Sequence, residues 1–377
     1  MSLLVTSGFG GWFCINTLKV PIRSISTSKV TYLYSQSSLG IDKYLHGRKK
    51  IKEQFSNFSD KFRTKMIEFC NDPKSLIFTE DLKNMVHLAE PSDLELVVKM
   101  VNKFNTSTAE FRFGSFIFGP VIMRMFYFLD APTEALQCFQ DPKNDGFFDQ
   151  LSTYHILLDL LYNHEMYDEM KEVFKKVMER QINMLKFPKY PLVLILAACY
   201  KQNSSQSFEY ASKIWSEMTS VGTVPLRRAS SFFAALALNQ SRPDVALESM
   251  SSQRSQYVTI RNIKVMALAD MGRVDDALPI LRSVLDIDIP EENKKHTFFE
   301  ETITKVKQAL DKHNNADIKK EYECIETELR NRNLIDSQTL DQHLCSEITM
   351  TNTPSALRGM PSQVKRFPYG LRKKSNM

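Results

Sequence analysis

Apolar residues recur at helical spacing through most of this chain, in paired segments separated by short polar turns. In the segment 153–162, Tyr, Ile and Leu dominate, and the segment 167–178 repeats apolar residues every three or four positions. An earlier pair of segments, 79–88 and 94–104, follows the same pattern. A period near 3.6 residues is typical of helices that bury one face. The pattern therefore predicts a series of helical hairpins.

Five of the second segments share one position, which holds a small or apolar residue and is followed four positions later by a bulky one. These five anchor residues are Ala135, Met170, Ala211, Ala246 and Ala277. The intervals between them are 35, 41, 35 and 31 residues, and the longest contains the extra polar residues 202–206. A regular period in this range is typical of solenoids, whose units bury their apolar faces against one another. We therefore expect an all-α solenoid of helical hairpins across residues 76–288.

The turn at Gly272 is the clearest break between two helices. Glycine readily adopts the left-handed conformation that ends a helix. Asp275 and Asp276 then fall in the first turn of the next helix, where the helix dipole favours acidic side chains. This turn therefore predicts the boundary between the two helices of the last hairpin.

The repeat pattern fades after the fifth anchor, although helical patterns continue. A segment from Pro290 to Lys312 has the composition of a helix, and the segments 316–332 and 336–347 are again charged and amphipathic. The end of a solenoid exposes an apolar face unless a capping element covers it. We therefore expect residues 289–347 to form a helical C-terminal cap.

The N-terminus has the composition of an import signal. The first acidic residue is Asp42, and the residues before it are rich in Ser and Thr and include three basic residues. This composition is typical of a mitochondrial presequence. We predict that residues 1–25 direct the chain to the mitochondrial matrix, with processing near Ser26. Two alternatives are a secretory signal built on the apolar residues 8–15, which lacks a charged start and an Ala-x-Ala site, and an unstructured cytosolic N-terminus.

Positive charge is concentrated at the two ends of the chain. The formal net charge is +5, yet residues 1–52 contain eight Lys and Arg and one acid, and residues 348–377 contain six and none, which leaves −8 for residues 53–347. The basic isoelectric point is therefore weak evidence for nucleic-acid binding by the body. We predict a basic linker and N-terminal helix over 26–75, a disordered basic tail over 348–377, and no membrane span, because no apolar run of sufficient length is free of charge.

Catalytic and metal-binding motifs are missing from the sequence. The only closely spaced acidic trio is Asp141, Asp145 and Asp149, whose spacing does not match a calcium-binding loop. The six cysteines are widely spaced without a Cys-x-x-Cys pair, and no phosphate-binding loop, Gly-x-Ser-x-Gly or His-Glu-x-x-His motif occurs. We therefore predict no catalytic residues, no metal and no cofactor, and a protein that is not an enzyme.

Two of the repeat units resemble pentatricopeptide repeats. The resemblance lies in the segment 153–180 and in the segment 208–225, where Trp215 and Met218 are followed by Gly222 and Pro225. The early Trp and Leu-Gly pair of the tetratricopeptide pattern are absent. The resemblance implies an organellar protein that binds single-stranded RNA and acts in transcript maturation.

The resemblance also implies where RNA would be contacted. In the family, a residue near the start of each first helix, usually Asn, Ser or Thr, faces an unstacked base. Fifteen positions before four of the anchors lie Pro120, His155, Ser231 and Asn262, and the unit with the insertion has Pro191 or a neighbour there. We select His155, Ser231 and Asn262 as candidates for base contact. Candidates for phosphate contact are the basic neighbours Arg227, Arg228, Arg261 and Lys264.

These residues also have ordinary structural interpretations, as solvated helix surface or, for His155, as a packed or capping histidine. Our first hypothesis is a protein that binds single-stranded mitochondrial RNA and assists transcript processing, maturation or stability without catalysing it. RNA-processing or ribosomal proteins are further candidate partners. The second hypothesis is a protein-binding helical scaffold, for example on the mitochondrial ribosome, and the third is a nuclease subunit. A basic groove would favour the first hypothesis, and an apolar or acidic groove the second.

Overall fold

The chain is almost entirely helical wherever the structure describes it. The computed structural model describes residues 32–106, 116–253, 257–285, 297–312 and 315–349. Within these ranges it contains eighteen α-helices, α1 to α18, and two strands of two residues each. The predicted all-α class is therefore confirmed. The predicted presequence 1–25 lies outside the described residues, as does nearly all of the predicted tail.

The described helices pair into hairpins, each with a first and a second helix. A short helix, α1 (Gln36–Leu39), precedes them. The first helices are α2 (Ile41–Gln54), α4 (Thr79–Leu88), α6 (Gly119–Phe128), α8 (Leu151–Asn163), α10 (Lys189–Gln202), α12 (Arg227–Asn239), α14 (Val258–Asp270) and α16 (Glu300–Lys312). The second helices are α3 (Ser59–Asn71), α5 (Leu94–Thr106), α7 (Pro132–Gln140), α9 (Tyr167–Arg180), α11 (Ser205–Ser220), α13 (Pro243–Ser249), α15 (Val274–Arg282) and α17 (Ala316–Asn331).

Successive hairpins stack through their first helices. Each of α2 to α14 packs against the next first helix along the chain, and each second helix from α5 to α17 packs on its own first helix. Three short 3₁₀ turns, Pro91–Asp93, Pro142–Asn144 and Ile182–Met184, lie between helices. The remaining elements are β1 (Phe298–Phe299), β2 (Ile335–Asp336), which pairs with it in parallel, and α18 (Leu340–Leu344). This arrangement is the helical repeat solenoid that the period predicted.

The anchor residues lie where the two helices of each hairpin meet. All five have no exposed side-chain surface. Four of them are alanines, whose small side chains let the second helix approach the first helices closely. Of the bulky residues four positions later, Phe174, Met250 and Leu281 are fully buried and Phe139 nearly so, while Trp215 stacks on Phe233 at a ring distance of 4.6 Å. The repeated pair is thus a core contact.

The turn within each of the five hairpins that contain an anchor uses a left-handed residue. Gly272 has φ of 70°, and the next amide, that of Arg273, donates to Leu268 O at 2.9 Å. The same conformation, without glycine, occurs at Asp130, Glu165, Asn203 and Ser241. These amides and carbonyls satisfy the end of the first helix. The predicted helix boundary at Gly272 is therefore confirmed.

The N-terminal region contains two helices, α2 and α3, where the sequence predicted a linker leading into one helix. Arg48 is buried and donates to His87 O at 2.9 Å and to Ala89 O at 2.6 Å. It also pairs with Glu90 at 2.9 Å. Basic residues that suggest a solvated linker in the sequence thus satisfy the carboxyl end of α4.

The C-terminal region continues the ladder of hairpins. The helix predicted from Pro290 begins at Glu300 in the structure, after β1, and residues 286–296 are outside the described part. The predicted helix over 336–347 is reduced to the five residues of α18, because Ile335 pairs with Phe298 in the strand pair. The helices α16 and α17 pack against α14 and α15 and contribute Ile303, Val306 and Leu329 to a second apolar core.

No helix among the residues that the structure describes combines the length and apolar content needed to cross a membrane.

The close packing at the anchor positions predicts that a larger side chain there will destabilise the fold. Replacing Ala211 by Leu should lower the free energy of unfolding by about 1–3 kcal/mol, because the added atoms have no space between the packed helices. Urea unfolding measures this change. The matched control is Lys213→Leu, which places the same side chain at an exposed position of the same helix. Equal stability of the two variants would contradict the packing described for the anchors.

Candidate nucleic-acid interface

The central first helices are buried on all sides. Ten consecutive residues are buried in each of α8, α10 and α12, at 153–162, 191–200 and 229–238. A first helix contacts its neighbours and its second helix, and in an open solenoid its remaining face meets solvent. We call this remaining face the first-helix face. Its burial means that other parts of the chain lie on it.

An N-terminal segment covers the face at α8. The ring of Tyr34 meets the ring of His155 edge-on, with a centroid distance of 4.4 Å. His155 also stacks on Tyr190, with a centroid distance of 5.1 Å. The backbone from Leu33 to Leu39 runs alongside, and Leu33 and Leu39 are both buried. His155, the predicted base-contacting residue of this hairpin, is therefore packed against two aromatic side chains of the chain itself.

A C-terminal segment covers the face at α12 and α14. In α18, Leu344 is buried in the main core. Arg228 donates to His343 O at 2.8 Å and to Ser346 O at 3.0 Å. Lys201 at the end of α10 forms an ion pair with Asp341 at 2.9 Å. A basic residue predicted to contact phosphate thus holds the carboxyl end of α18.

The two covering segments are joined to each other. The amide of Ile348 donates to Leu33 O at 2.8 Å, and the amide of Ser35 donates to Ile348 O at 3.2 Å. This pairing is a parallel bridge between Tyr34 and Ile348. We call residues 33–39 together with residues 340–348 the terminal cover. Ile348, the first residue of the predicted disordered tail, is therefore ordered by pairing with the N-terminal segment, which is a correction to that boundary.

Asn262 is enclosed by a third element, the start of the last hairpin. Its side-chain oxygen accepts from the amide of Phe299 at 2.8 Å and from the hydroxyl of Thr302 at 2.7 Å. Its side-chain nitrogen donates to Val258 O at 2.8 Å. In this structure the side chain of Asn262 links α14 to β1 and α16.

The structure separates the seven predicted contact residues by exposure. Those that are buried are His155, Ser231, Arg261 and Asn262. Arg228 and Lys264 are half-buried, and Lys264 donates to Gln253 O at 3.1 Å. Ser231 donates to the carbonyl of Arg227 at 2.9 Å, as helix-interior serines often do. RNA contact by these residues stays a prediction.

Arg227 differs from the other candidates because its side chain is exposed. Its guanidinium lies 3.8 Å from the ring centroid of Tyr257, and that ring is itself 43% exposed. This cation–π pair lies where α12 and α14 both begin, close to Arg228 and His343. An exposed aromatic ring and a planar guanidinium are the surfaces on which unstacked bases stack.

The acidic trio is committed to internal contacts. Asp149 accepts from the hydroxyl of Tyr154 at 2.8 Å, and Arg180 pairs with both Asp145 and Asp149. Asp141 accepts from the side-chain amide of Asn102 at 2.8 Å. Across the described ranges, no group of three or more His, Cys, Asp or Glu side chains is arranged to hold a metal.

Two titratable groups lie one helical turn apart beneath Tyr34. Asp159 is fully buried and accepts from the hydroxyl of Tyr127 at 2.9 Å. Burial raises the pKa of Asp159 to about 7, and the hydrogen bonds from Tyr127 and Asn163 oppose that rise. Burial lowers the pKa of His155 to about 4, so the imidazole is neutral at physiological pH. Both groups are therefore mainly neutral between the pKa of His155, about 4, and that of Asp159, about 7.

The fold defines a class, the helical-repeat solenoid proteins. Within this class the chain is similar to Pentatricopeptide repeat-containing protein 2, mitochondrial. The mouse protein (Mus musculus) is 27% identical over 308 residues, which span 81% of this chain and 77% of the mouse protein. The human protein (Homo sapiens) is 27% identical over 82% of this chain and 78% of its own length. The zebrafish protein (Danio rerio) is 25% identical over 83% of this chain and 81% of its own length. No protein-family model matches the chain. The resemblance to pentatricopeptide repeat proteins inferred from two units is confirmed.

The terminal cover is the feature of the site that sequence reasoning missed. Its signal is weak, because α18 is one turn long and shows only the spacing of Leu340 and Leu344. The N-terminal segment adds a single pair of apolar residues, Leu33 and Tyr34. Neither pattern reveals which distant surface these residues cover.

Removing the side chain of Asn262 tests its structural role. Asn262→Ala leaves the amide of Phe299 and the hydroxyl of Thr302 buried without an acceptor, so we expect the free energy of unfolding to fall by about 1–3 kcal/mol. Asn239→Ala is the matched control, because Asn239 is exposed at the end of the neighbouring first helix. Chemical denaturation compares the two, and an unchanged stability of Asn262→Ala would refute the linking role.

The buried carboxyl of Asp159 predicts a dependence of stability on pH. Because its pKa is raised from 3.8 to about 7 in the folded chain, its favourable contribution is complete below about pH 4 and is lost as the pH rises through about 7. Asp159→Asn keeps a neutral acceptor for Tyr127, so its stability relative to the native chain should rise by about 3–4 kcal/mol over this interval. Urea unfolding at several pH values measures the difference. His155 is common to both proteins, and a difference that does not change with pH would contradict a raised pKa.

Proposed function

We propose that this chain is a non-catalytic mitochondrial protein that binds single-stranded RNA and assists the processing, maturation or stability of transcripts. Support comes from the ladder of helical hairpins and from the similarity to proteins named as mitochondrial pentatricopeptide repeat proteins. In this proposal residues 1–25 are a presequence that directs the chain to the mitochondrial matrix.

The observation that carries the proposal is the cationic cluster where α12 and α14 begin. Arg227 is stacked on Tyr257 and exposed, and Arg228 lies beside it with only neutral oxygens as hydrogen-bond acceptors in the described residues. A phosphate oxygen is a stronger acceptor for guanidinium than a carbonyl, because the bond is then charge-assisted. A single strand can thus place a base on the Arg227–Tyr257 pair and a phosphate against Arg228.

In this proposal, the buried and half-buried candidate residues contact RNA after the exposed ones. Arg261 and Lys264 lie on α14 behind the cluster, and His155, Ser231 and Asn262 occupy the positions that contact bases in the family. Their side chains reach RNA only where the segments that now pack on them are displaced. We therefore assign first contact to Arg227 and Arg228.

A second candidate function, a protein-binding scaffold, is favoured by a different observation. The first-helix face binds peptide segments already, namely those of the chain itself. In addition, Met184 is 96% exposed and Val224 is 76% exposed, on two successive loops that connect hairpins. Lys186 of the first loop pairs with Glu217 at 3.1 Å, close to the second loop. RNA-processing or ribosomal proteins are the partners that such apolar loops suit in this compartment.

Cross-linking in mitochondria followed by sequencing of the bound RNA tests the proposed function. We expect a restricted set of transcripts, and an approximately tenfold loss of RNA affinity in Arg227→Glu, because a phosphate attraction becomes a repulsion. Since Arg227 is exposed, the variant should fold normally.

The matched control is Lys213→Glu, which makes the same charge change on the exposed side of the second helix α11. This variant should bind RNA as the native chain does. RNA recovery at background level would overturn RNA binding, and an equal loss in both variants would overturn the assignment to Arg227.

A further inference from the structure

We propose that the terminal cover is a gate on the RNA-binding face, and that binding of RNA along the first helices requires its release. The inference rests on the proposed function and names a regulation of the same site. The cover and RNA compete for one surface, so closing the cover and binding RNA there exclude each other. The chain can then exist in a closed form, which the structure describes, and an open form.

The cover occupies the same side chains that the RNA proposal uses. The ring of Tyr34 contacts the His155 ring edge-on at a centroid distance of 4.4 Å and fills space that an unstacked base would need in order to reach His155. The carbonyls of His343 and Ser346 take the guanidinium of Arg228, where a phosphate would lie. Among the groups of a protein, an aromatic ring is chemically most similar to a base, and carbonyl oxygens are most similar to the oxygens of a phosphate. The chain thus fills its own site with similar chemistry.

Only a small part of the cover is regular structure. Its helices, α1 and α18, have four and five residues, and one parallel bridge with two backbone hydrogen bonds joins its two halves. By comparison, neighbouring first helices pack along ten or more residues each. The cover is also made of two separate segments near the two ends of the described chain, where local opening needs the least disruption of other contacts. Release therefore leaves the stacked hairpins intact.

The charges favour exchange of the cover for an anion. The titratable groups around Arg228 are Arg227 on its own helix, Tyr162 on α8, and Tyr34, His343 and Cys345 on the cover. His343 has a lowered pKa because it is partly buried and lies near both arginines. The cover therefore supplies neutral acceptors to a positively charged corner, whereas the backbone of RNA supplies negative ones. The closed form is compact, and the open form gains electrostatic attraction for RNA.

The bridge offers a direct way to hold the gate shut. Tyr34 and Ile348 lie opposite each other, and directly paired residues on neighbouring strands have Cα atoms about 5 Å apart, which suits a disulfide. The double variant Tyr34→Cys, Ile348→Cys is oxidised, and its affinity for single-stranded RNA oligonucleotides of randomised sequence is measured by fluorescence anisotropy. We expect oxidation to weaken binding by about tenfold or more, and reduction to restore it. The oxidised single variant Tyr34→Cys controls for the loss of the tyrosine and for the native cysteines.

A second pair of variants opens the gate. Ile348→Pro removes the amide that donates to Leu33, and Ile348→Ala removes the same side chain but keeps that amide. We expect Ile348→Pro to bind the oligonucleotides about tenfold more tightly than Ile348→Ala, because a larger fraction of the chain is open. The comparison of Ile348→Pro with Ile348→Ala still tests the gate if the double cysteine variant does not fold.

The outcomes separate the gate from the proposed function. If native, opened and oxidised chains bind RNA equally, the cover is a fixed part of the fold and the gate is overturned, while RNA binding stands. If none of them binds RNA, the proposed function fails and the gate on it fails as well. Binding that is weakened by oxidation and strengthened by Ile348→Pro supports both.

Discussion

Close contact between the two helices of each hairpin is the constraint on which the structure depends. A hairpin of about thirty residues cannot bury its apolar surface alone, so it must stack on its neighbours. Stacking requires a small side chain where the helices approach, and four of the five anchors are alanine, with Met170 as the exception. The left-handed turn residues then return each second helix at the same angle, so that one contact, repeated, builds the row of first helices.

The row of first helices has an apolar face, and the N-terminal and C-terminal segments shield it from water. First helices such as α10 and α12 have apolar residues around their whole circumference, and a face of that kind is unstable in water. Residues 33–39 and 340–348 cover it and join at Ile348. This solution places the cover on the surface that a repeat protein offers to its ligand. Stability of the closed form and access for RNA are therefore coupled. The exposed Arg227–Tyr257 pair lies close to His343, at the edge of the cover.

Local patterns predicted the array well and the site poorly. The anchors and the Gly272 turn depend on contacts within a hairpin or between adjacent ones, and these leave a period in the sequence. The contact candidates were found by counting from the anchors, which locates a position along a helix but says nothing about what packs on it. Asn262 shows the difference. Its residue type suits base recognition, yet its side chain also suits the buried amide of Phe299 that it bonds here.

The sequence by itself determined the helical hairpins, their period and the similarity to pentatricopeptide repeat proteins, because these follow from the spacing of apolar residues over short distances. Only the tertiary structure decided that residues 41–71 form two further helices and that the first-helix face is covered. The reason is that the deciding contacts, such as that of Arg228 with His343 O and that of Leu33 O with Ile348, join residues more than one hundred positions apart. Such contacts depend on how all the hairpins stack, and they leave no period along the chain.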